Sequence, residues 1–434
     1  MEKVTEAKTC THCSANFDIT DKDLEFYDKI SPVFGGVKYP IPSPTFCPDC
    51  RQQRRLSFRN ERKLYKRKCD LTGKEIISIF SPDKSYKVYG QSAWWSDKWD
   101  AMEYGRDFDF SRGFFEQFEE LSRDVPTISM INYNSENSEY CNYSLNLKDC
   151  YFAHWISDSQ NSYYVNIWNA LKNTVDCMVV SMIENSYELI WCAKIYNSFF
   201  CLKCENSSNL YYCNDCIWCD SCLFCSQLTN KKYCILNTQY SQEEYALKKD
   251  EVLSNFDYYY RKYKELYLNT PQKNMYSINA ENCTWDFLYY CKNSKYCFDS
   301  KWLEDCKNIT NSWWWKNAYD VYWLIMWSES ASEYILESVS ILWYRNVFCL
   351  NCDNVKYLIY CTHCYSSDNL FACTWLRNKS YCILNKQYTK EEYEELVPKI
   401  IEHMMTSPLT RGDWGGFEWG EFFPSSISPF GYNE

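Results

Sequence analysis

A polar residue, Asn or Asp, recurs at 12-residue intervals through the middle of the chain. The series runs through Asn137, Asp149, Asn161, Asn173, Asn185 and Asn197, and then with slight shortening through Asn209, Asp220 and Asn230. A repeat this short cannot bury an apolar face alone, so its units must stack on one another. The spacing therefore predicts a β-solenoid.

Each unit is a polar turn followed by a short stretch rich in aromatic, β-branched or Cys residues, as in Asn161–Val165. We expect two units, about 24 residues, in each coil, with aromatic and Cys side chains inward, because a 12-residue coil leaves little room for Trp and Tyr. Asn suits the left-handed turns of such a coil and can replace Gly, of which the chain has only 11.

The array is duplicated. Tyr233–Asn237 reads YCILN, and the same letters return 148 residues later at Tyr381–Asn385. Steps of about 12 residues also run through Asn282, Asn293, Asp305 and Asn317. Each copy is followed by a capping box, Ser241 to Glu244 and Thr389 to Glu392, which predicts a closing helix. The first of these helices should span about 242–268 and cover an open end of the stack.

Two CxxC pairs lie near the N-terminus, at Cys10 and Cys13 and at Cys47 and Cys50. Two such turns supply the tetrahedral four-thiolate shell that structural Zn²⁺ prefers. The spacing predicts a zinc ribbon with Zn²⁺ as cofactor. Four protein ligands leave no open position, so the zinc is expected to be structural and not catalytic.

The remaining cysteines of the total of 27 are expected to be reduced, because a cytoplasmic location keeps thiols free. His12 is expected to be a bystander of the metal site, and Cys69 a buried thiol. The CxxC series from Cys213 to Cys225 allows two interpretations, a second metal site or a stacked ladder of small residues. The ladder is favoured, because Cys141 and Cys177 occupy equivalent places without any CxxC.

The charge is uneven along the chain. The net charge is −11, but residues 51–68 carry nine basic residues against one acid. Such a basic stretch in an acidic chain is typical of a surface that contacts a polyanion. The candidate nucleic-acid-binding residues are Arg51, Arg54, Arg55, Arg59, Arg62, Lys63, Lys66 and Arg67. RNA or a ribonucleoprotein is the expected partner, and a solvated basic helix is the alternative.

The expected fold is mainly β with minor α: an N-terminal zinc ribbon followed by a duplicated β-solenoid with capping helices. The expected domains are a ribbon with its basic extension at 1–68, an α+β connecting region at 69–130, a first array with its helix at 131–270, a second at 271–403, and a tail at 404–434.

Several segments resemble a family of uncharacterised zinc-ribbon proteins from candidate-phyla bacteria of the Patescibacteria type. They are Cys47–Arg51, Arg59–Arg62, Trp94–Asp100, Asp107–Phe110 and the YCILN segments. The resemblance implies a ribbon ahead of a Cys- and Asn-rich repeat array, and it implies no role. This chain departs from the family in carrying YCILN twice, and similar proteins continue beyond Glu434, so a C-terminal part is expected to be missing.

These features together predict a binding protein and not an enzyme. The chain has four His and no Gly-rich phosphate loop. The N-terminus lacks the apolar core of a secretory signal and the chain lacks a 20-residue apolar run, so we expect a cytoplasmic protein without a membrane partner. A scaffold with protein partners on its aromatic solenoid is the alternative function. A β-helix carbohydrate-active protein ranks third.

Overall fold

The structure, a computed structural model, describes residues 2–60, 62–322, 332–406 and 419–430. In this part of the chain strands outweigh helices, which confirms the prediction of a mainly β protein with minor α.

The N-terminal module contains one antiparallel hairpin, a shorter one and two helices. They are β1 (Val4–Thr9), β2 (Asn16–Thr20), α1 (Asp21–Ile30), β3 (Val33–Phe34), β4 (Val37–Lys38) and α2 (Pro48–Leu56). Thr20 caps α1, because its side chain accepts from the backbone N–H of Asp23 while the Asp23 carboxylate accepts from the backbone of Thr20. Pro48 at the first position of α2 suits a helix start, since its missing N–H would have no partner there.

The segment between the N-terminal module and the first array is a small mixed layer. Its elements are β5 (Tyr65–Lys68), β6 (Glu75–Ser78), β7 (Val88–Tyr89), α3 (Gln91–Trp94), α4 (Phe114–Asp124) and β8 (Thr127–Ile128). Strands β5 and β6 pair antiparallel, and β7 and β8 pair in parallel. The apolar face of α4 packs outside the second array: the ring of Phe114 lies 5.0 Å from that of Tyr360 and 5.6 Å from that of Phe371.

The first array is a parallel sheet that ends in one antiparallel pair and two helices. Its elements are β9 (Asn132–Tyr133), β10 (Ser144–Lys148), β11 (His154–Tyr163), β12 (Asn166–Asn169), β13 (Leu171–Val175), β14 (Met178–Tyr196), β15 (Phe199–Leu202), β16 (Glu205–Tyr211), β17 (Asp220–Leu223), β18 (Lys232–Ile235), β19 (Thr238–Gln239), α5 (Gln242–Ser254) and α6 (Phe256–Asn269). The predicted capping box of Ser241 and Glu244 is confirmed, and the long helix is divided at Asn255.

The second array repeats this order. Its elements are β20 (Ser277–Ile278), β21 (Leu288–Tyr289), β22 (Ser300–Glu304), β23 (Trp313–Tyr322), β24 (Ser332–Val347), β25 (Leu350–Ile359), β26 (Asp368–Phe371), β27 (Ser380–Ile383), β28 (Lys386–Gln387) and α7 (Lys390–Thr406). Strands β17, β18 and β19 correspond to β26, β27 and β28 at the 148-residue offset. Thr389 and Glu392 exchange the two hydrogen bonds of the second capping box.

Most parallel partners in both arrays lie 12 residues apart and are equivalent residues of successive repeat units, whereas β23 and β24 pair 17 residues apart. Lys172 pairs with Glu184, and Leu358 pairs with Leu370. The prediction that two units form each coil is therefore wrong, because most strands pair with the equivalent strand of the next 12-residue unit.

The chain turns at every third residue. Asn197, Phe200, Lys203 and Asn206 have φ between 48° and 56°, and this left-handed conformation recurs along both arrays. Left-handed backbone costs roughly 1–2 kcal/mol at residues other than Gly, Asn and Asp. Hydrogen bonds between the side chains of corner residues in successive units offset part of this cost. Asn161 donates to the Asn173 side chain at 3.0 Å, and Asn173 donates to Asn185 at 2.8 Å, so these Asn side chains form a ladder along the array.

The residue after each corner points inward, and most inward side chains are small. Cys204, Cys213 and Cys216 are fully buried, whereas Trp218 is 59% exposed and Tyr196 50% exposed. The expectation that Cys side chains point inward is confirmed. The expectation that aromatic side chains do so is wrong for most of them, which is why a 12-residue coil suffices; Trp315 in the second array is a buried exception.

We predict that enlarging an inward side chain destabilises the first array. Cys204→Phe should lower the free energy of unfolding by about 1–3 kcal/mol or more, because the coil has no free volume for a ring. Tyr196→Phe at an exposed position should change it by less than about 0.5 kcal/mol. Chemical denaturation checks both variants, and equal midpoints would contradict a narrow interior.

Candidate metal centre and binding cleft

Four cysteine side chains of the N-terminal module converge. Cys10 follows β1 and Cys13 lies in the turn before β2, while Cys47 caps α2 and Cys50 lies in its first turn. Their Sγ atoms all lie within 4.8 Å of one another, and those of Cys13 and Cys47 are 3.7 Å apart. Cys13 is exposed and the other three are buried. The two CxxC pairs therefore meet as the sequence predicts.

The cluster fits a metal ion. A tetrahedral thiolate site with metal–sulfur distances of about 2.3 Å has sulfur–sulfur edges of about 3.8 Å, close to the Cys13–Cys47 separation. Four thiolates complete the coordination shell of such an ion. His12 lies outside the four-atom set, although its Nδ1 is 3.4 Å from the Sγ of Cys50.

The arginines of α2 do not form a basic surface. Arg51, Arg54 and Arg55 are between 1% and 6% exposed, and Arg59 is 8% exposed. The prediction that they contact nucleic acid is wrong for these four. Helix α2 ends at Leu56, so Arg59 and the basic residues after it lie outside the helix.

The three arginines of α2 bind carboxylates of distant segments. Arg51 lies 2.8 Å from Asp320, and Arg54 lies 2.8 Å from both Glu337 and Glu421. Burial raises the pKa of Glu337 despite the opposing effect of the arginines. Removing one partner of such a pair leaves an uncompensated buried charge. The metal module is thus attached to the second array through paired, buried ions.

The rest of the basic segment is more accessible. Arg62, Lys63 and Lys66 are exposed, whereas the Arg67 side chain is 7% exposed and donates to Asp70 at 3.1 Å. Contact of these four residues with nucleic acid stays a prediction.

The cysteines inside the arrays form ladders. The thiol of Cys213 donates to the carbonyl of Cys222 at 3.4 Å, and those of Cys216 and Cys219 donate to carbonyls two residues before them at 3.5 Å. Among the described residues the only group of three or more potential metal ligands is the N-terminal cluster. The ladder interpretation is therefore favoured over a second metal site. Cys69 is also buried, and it accepts from the backbone N–H of Gly90.

The two arrays face each other and run antiparallel. Trp191 stacks on Phe287 at 4.4 Å, and the Nζ of Lys203 lies 3.7 Å from the ring of Tyr276. Arg59 lies over the ring of Trp155 in the first array and over that of Tyr322 in the second, at 5.5 and 4.6 Å. The end of the first array thus meets the beginning of the second.

Between the arrays lies a cavity of about 690 Å³, which we call the cleft. Its walls carry many aromatic side chains, among them Tyr143, Trp155, Trp191, Phe287, Trp302 and Trp314. The corner column of the first array that lines the cleft is interrupted by Ile167 and Val179, which separate Trp155 from Trp191 by three strand spacings, about 14 Å. The smaller side chains there leave space for a ligand.

Charged side chains gather at one end of the cleft. They are Lys203, Glu205, Asp215, Lys273, Asp299 and Lys301. Lys273 pairs with Asp215 at 3.3 Å, and the charge of Glu205 acts on Lys301. With Asp353 further along, three lysines stand against four carboxylates, so the described lining does not favour a polyanion.

The sequence patterns described above did not indicate the cleft. The available signal was the three-residue periodicity, which places one residue in three inward and leaves Trp and Tyr on the outer faces. No protein-family model matches the chain, and no curated protein matches it. Among the described residues, none of the helices combines the length and apolar composition needed to cross a bilayer.

We predict that the buried ion pairs hold the metal module on the second array. Arg54→Met should cost about 3–5 kcal/mol of unfolding free energy, because it leaves Glu337 and Glu421 with less compensation. Arg123→Met makes the same change in an exposed pair with Glu119 and should cost less than about 1 kcal/mol. Chemical denaturation compares them, and similar losses would contradict a structural role for the buried network.

Proposed function

We propose that this protein is a non-enzymatic, zinc-stabilised binding protein in which two four-sided β-solenoids hold a ligand in the cleft between them. The observation that carries the proposal is the aromatic-lined cavity formed by side chains of both arrays. A concave, largely apolar site with a few convergent polar groups is the usual form of a small-molecule site.

The solenoid description rests on the 12-residue register and the left-handed corners. A coil of 12 residues has four sides of three residues, so each corner column continues along such coils with one residue per coil. Backbone ladders on the sides restrain every coil against its neighbours. Side chains on such a frame are held in place before a ligand arrives, which lowers the entropic cost of binding.

Zinc is the metal that suits four thiolates in a tetrahedron, and in this environment it acts as a structural ion. A closed shell cannot activate water, so the metal serves the fold. It holds the turn of β1 and β2 against the start of α2, the helix that carries Arg51, Arg54 and Arg55 into the second array. The metal thereby supports one wall of the cleft indirectly.

Because four of the arginines are buried, fewer basic side chains are available to contact RNA than the sequence suggested. Of the eight candidate residues, three are exposed, namely Arg62, Lys63 and Lys66, and each phosphate contact steepens the salt dependence by only about 0.7 for single strands. The cleft is the larger and more specific feature. We therefore place ligand binding there.

We predict that the purified protein contains one zinc ion per chain. Cys47→Ser should lose it and melt at a lower temperature, because three thiolates hold the ion more weakly. Cys283→Ser is the matched control, since this thiol lies outside the cluster and donates to the Glu281 carbonyl. Metal analysis and thermal unfolding provide the readouts. Unchanged zinc content in Cys47→Ser would refute the site.

We also predict that the cleft retains a low-molecular-mass ligand. Native mass spectrometry of protein incubated with a cell extract should show a bound species in the wild type and in Met182→Trp, but not in Ile167→Trp. Both positions are left-handed corners of the first array, but Ile167 lines the cleft, whereas Met182 is 51% exposed and is not among its lining residues. Retention by Ile167→Trp, or by none of the three proteins, would contradict ligand binding in the cleft.

A further inference from the structure

Asp299 differs from the other carboxylates at the charged end of the cleft. It is a corner residue of the second array and lies in the same column as Phe287 and Asn311, one coil from each. Asp215 has Lys273 as its partner, and Glu205 acts on Lys301. Among the described residues, no hydrogen-bond donor or cation is paired with the Asp299 side chain.

The surroundings of Asp299 disfavour an isolated negative charge. Burial raises the pKa of Asp299 to about 7, and the nearby charge of Asp286 adds to the shift. A partly desolvated carboxylate is stabilised most by a cation that brings its own hydrogen-bond donors. The described part of the chain supplies no cation that pairs with the Asp299 carboxylate. A bound ligand could supply it.

The aromatic walls accept ammonium groups. The Nζ of Lys203 lies 3.7 Å from the centroid of Tyr276, and that of Lys301 lies 5.0 Å from the centroid of Tyr289. Rings attract cations through the negative potential of their faces, and quaternary ammonium ligands are recognised in this way. Lys203 and Lys301 thus show that ammonium groups are accommodated at this end of the cleft.

The remaining walls of the cleft are apolar and would contact an apolar part of a ligand. Ile167 and Val179 line the first array where its ring column is interrupted, and Trp302 and Trp314 stack at 4.3 Å on the second. A neutral oligosaccharide would leave the charge of Asp299 without a counterion, and a polyanion would meet an excess of carboxylates. An organic cation meets both the charge and the apolar surface.

We propose that the cleft binds an organic cation whose ammonium group pairs with Asp299 and whose apolar or aromatic body lies between the two arrays. This proposal rests on the proposed function, that the cleft is a ligand site. It commits to the chemical class of the ligand and to the residue that selects it. The net charge of −11 favours the approach of cations over long distances.

The test uses three probes with one body and different head groups: 4-phenylbutylamine, 4-phenylbutanol and 4-phenylbutyrate. Titration calorimetry with the full chain at pH 8.5 should rank the ammonium first, with about tenfold weaker binding of the alcohol and no measurable binding of the carboxylate. Quenching of tryptophan fluorescence gives an independent readout, because Trp191 and Trp302 line the cleft.

The matched variants are Asp299→Asn and Asp353→Asn. Both positions line the cleft, but Asp353 acts on Tyr133 and Tyr365, whereas the lysines lie with Asp215 and Glu205. Asp299→Asn should bring the affinity for the ammonium down to that for the alcohol, whereas Asp353→Asn should leave the ranking unchanged. Circular dichroism checks that both variants keep the wild-type fold.

The dependence on pH distinguishes selection by Asp299 from apolar binding alone. In the wild type, the affinity for the ammonium should fall as the pH drops below about 7, because the Asp299 carboxylate becomes neutral while the probe stays charged. The charged groups at the same end are Asp286, Glu205, Lys301, Lys203 and the Asp215–Lys273 pair. If the affinity of Asp299→Asn for the ammonium does not change with pH, Asp299 is the group that titrates in the wild type.

Two results overturn the proposal. One is an ammonium that binds no more tightly than the alcohol, and the other is unchanged ammonium binding in Asp299→Asn. If the cleft still retains a ligand from the extract in either case, the class of ligand is wrong and the proposed function stands. If Ile167→Trp also retains that ligand, the proposed function itself fails.

Discussion

The 12-residue register of the parallel ladders determines most other features of this protein. A coil of four three-residue sides encloses room for four small side chains, so Cys, Ser and aliphatic residues point inward and most Trp and Tyr side chains lie outside. Corner side chains then stack at the strand spacing along each edge, as in the pair of Tyr143 and Trp155 with ring centroids 4.1 Å apart. The aromatic composition is a consequence of the narrow interior.

The aromatic outer faces of the two arrays favour their association. Rings on opposing faces exclude water when the arrays lie side by side, and Trp191 and Phe287 show this contact directly. The association is incomplete where aliphatic corners replace rings, and the cleft remains there. The same constraint that moves the large side chains outward therefore also creates the candidate binding site.

Buried ions attach the N-terminal module to this assembly. Charges that the sequence presents as a solvated or RNA-binding stretch are neutralised by Asp320, Glu337 and Glu421, which belong to segments far away along the chain. An opposite charge at such a distance leaves no local mark in the sequence. A basic segment is therefore weak evidence for a polyanion partner until the location of its side chains is known.

Local patterns were sufficient for the features with short-range causes. The CxxC spacing identified the four-cysteine cluster, and the Asn recurrence and the two capping boxes identified the repeats and their closing helices. The size of the coil, the burial of Arg51 to Arg59, and the cleft with Asp299 depended on tertiary structure. The physical reason is that burial and ion pairing are set by which surfaces meet, and here those surfaces come from segments far apart in the chain.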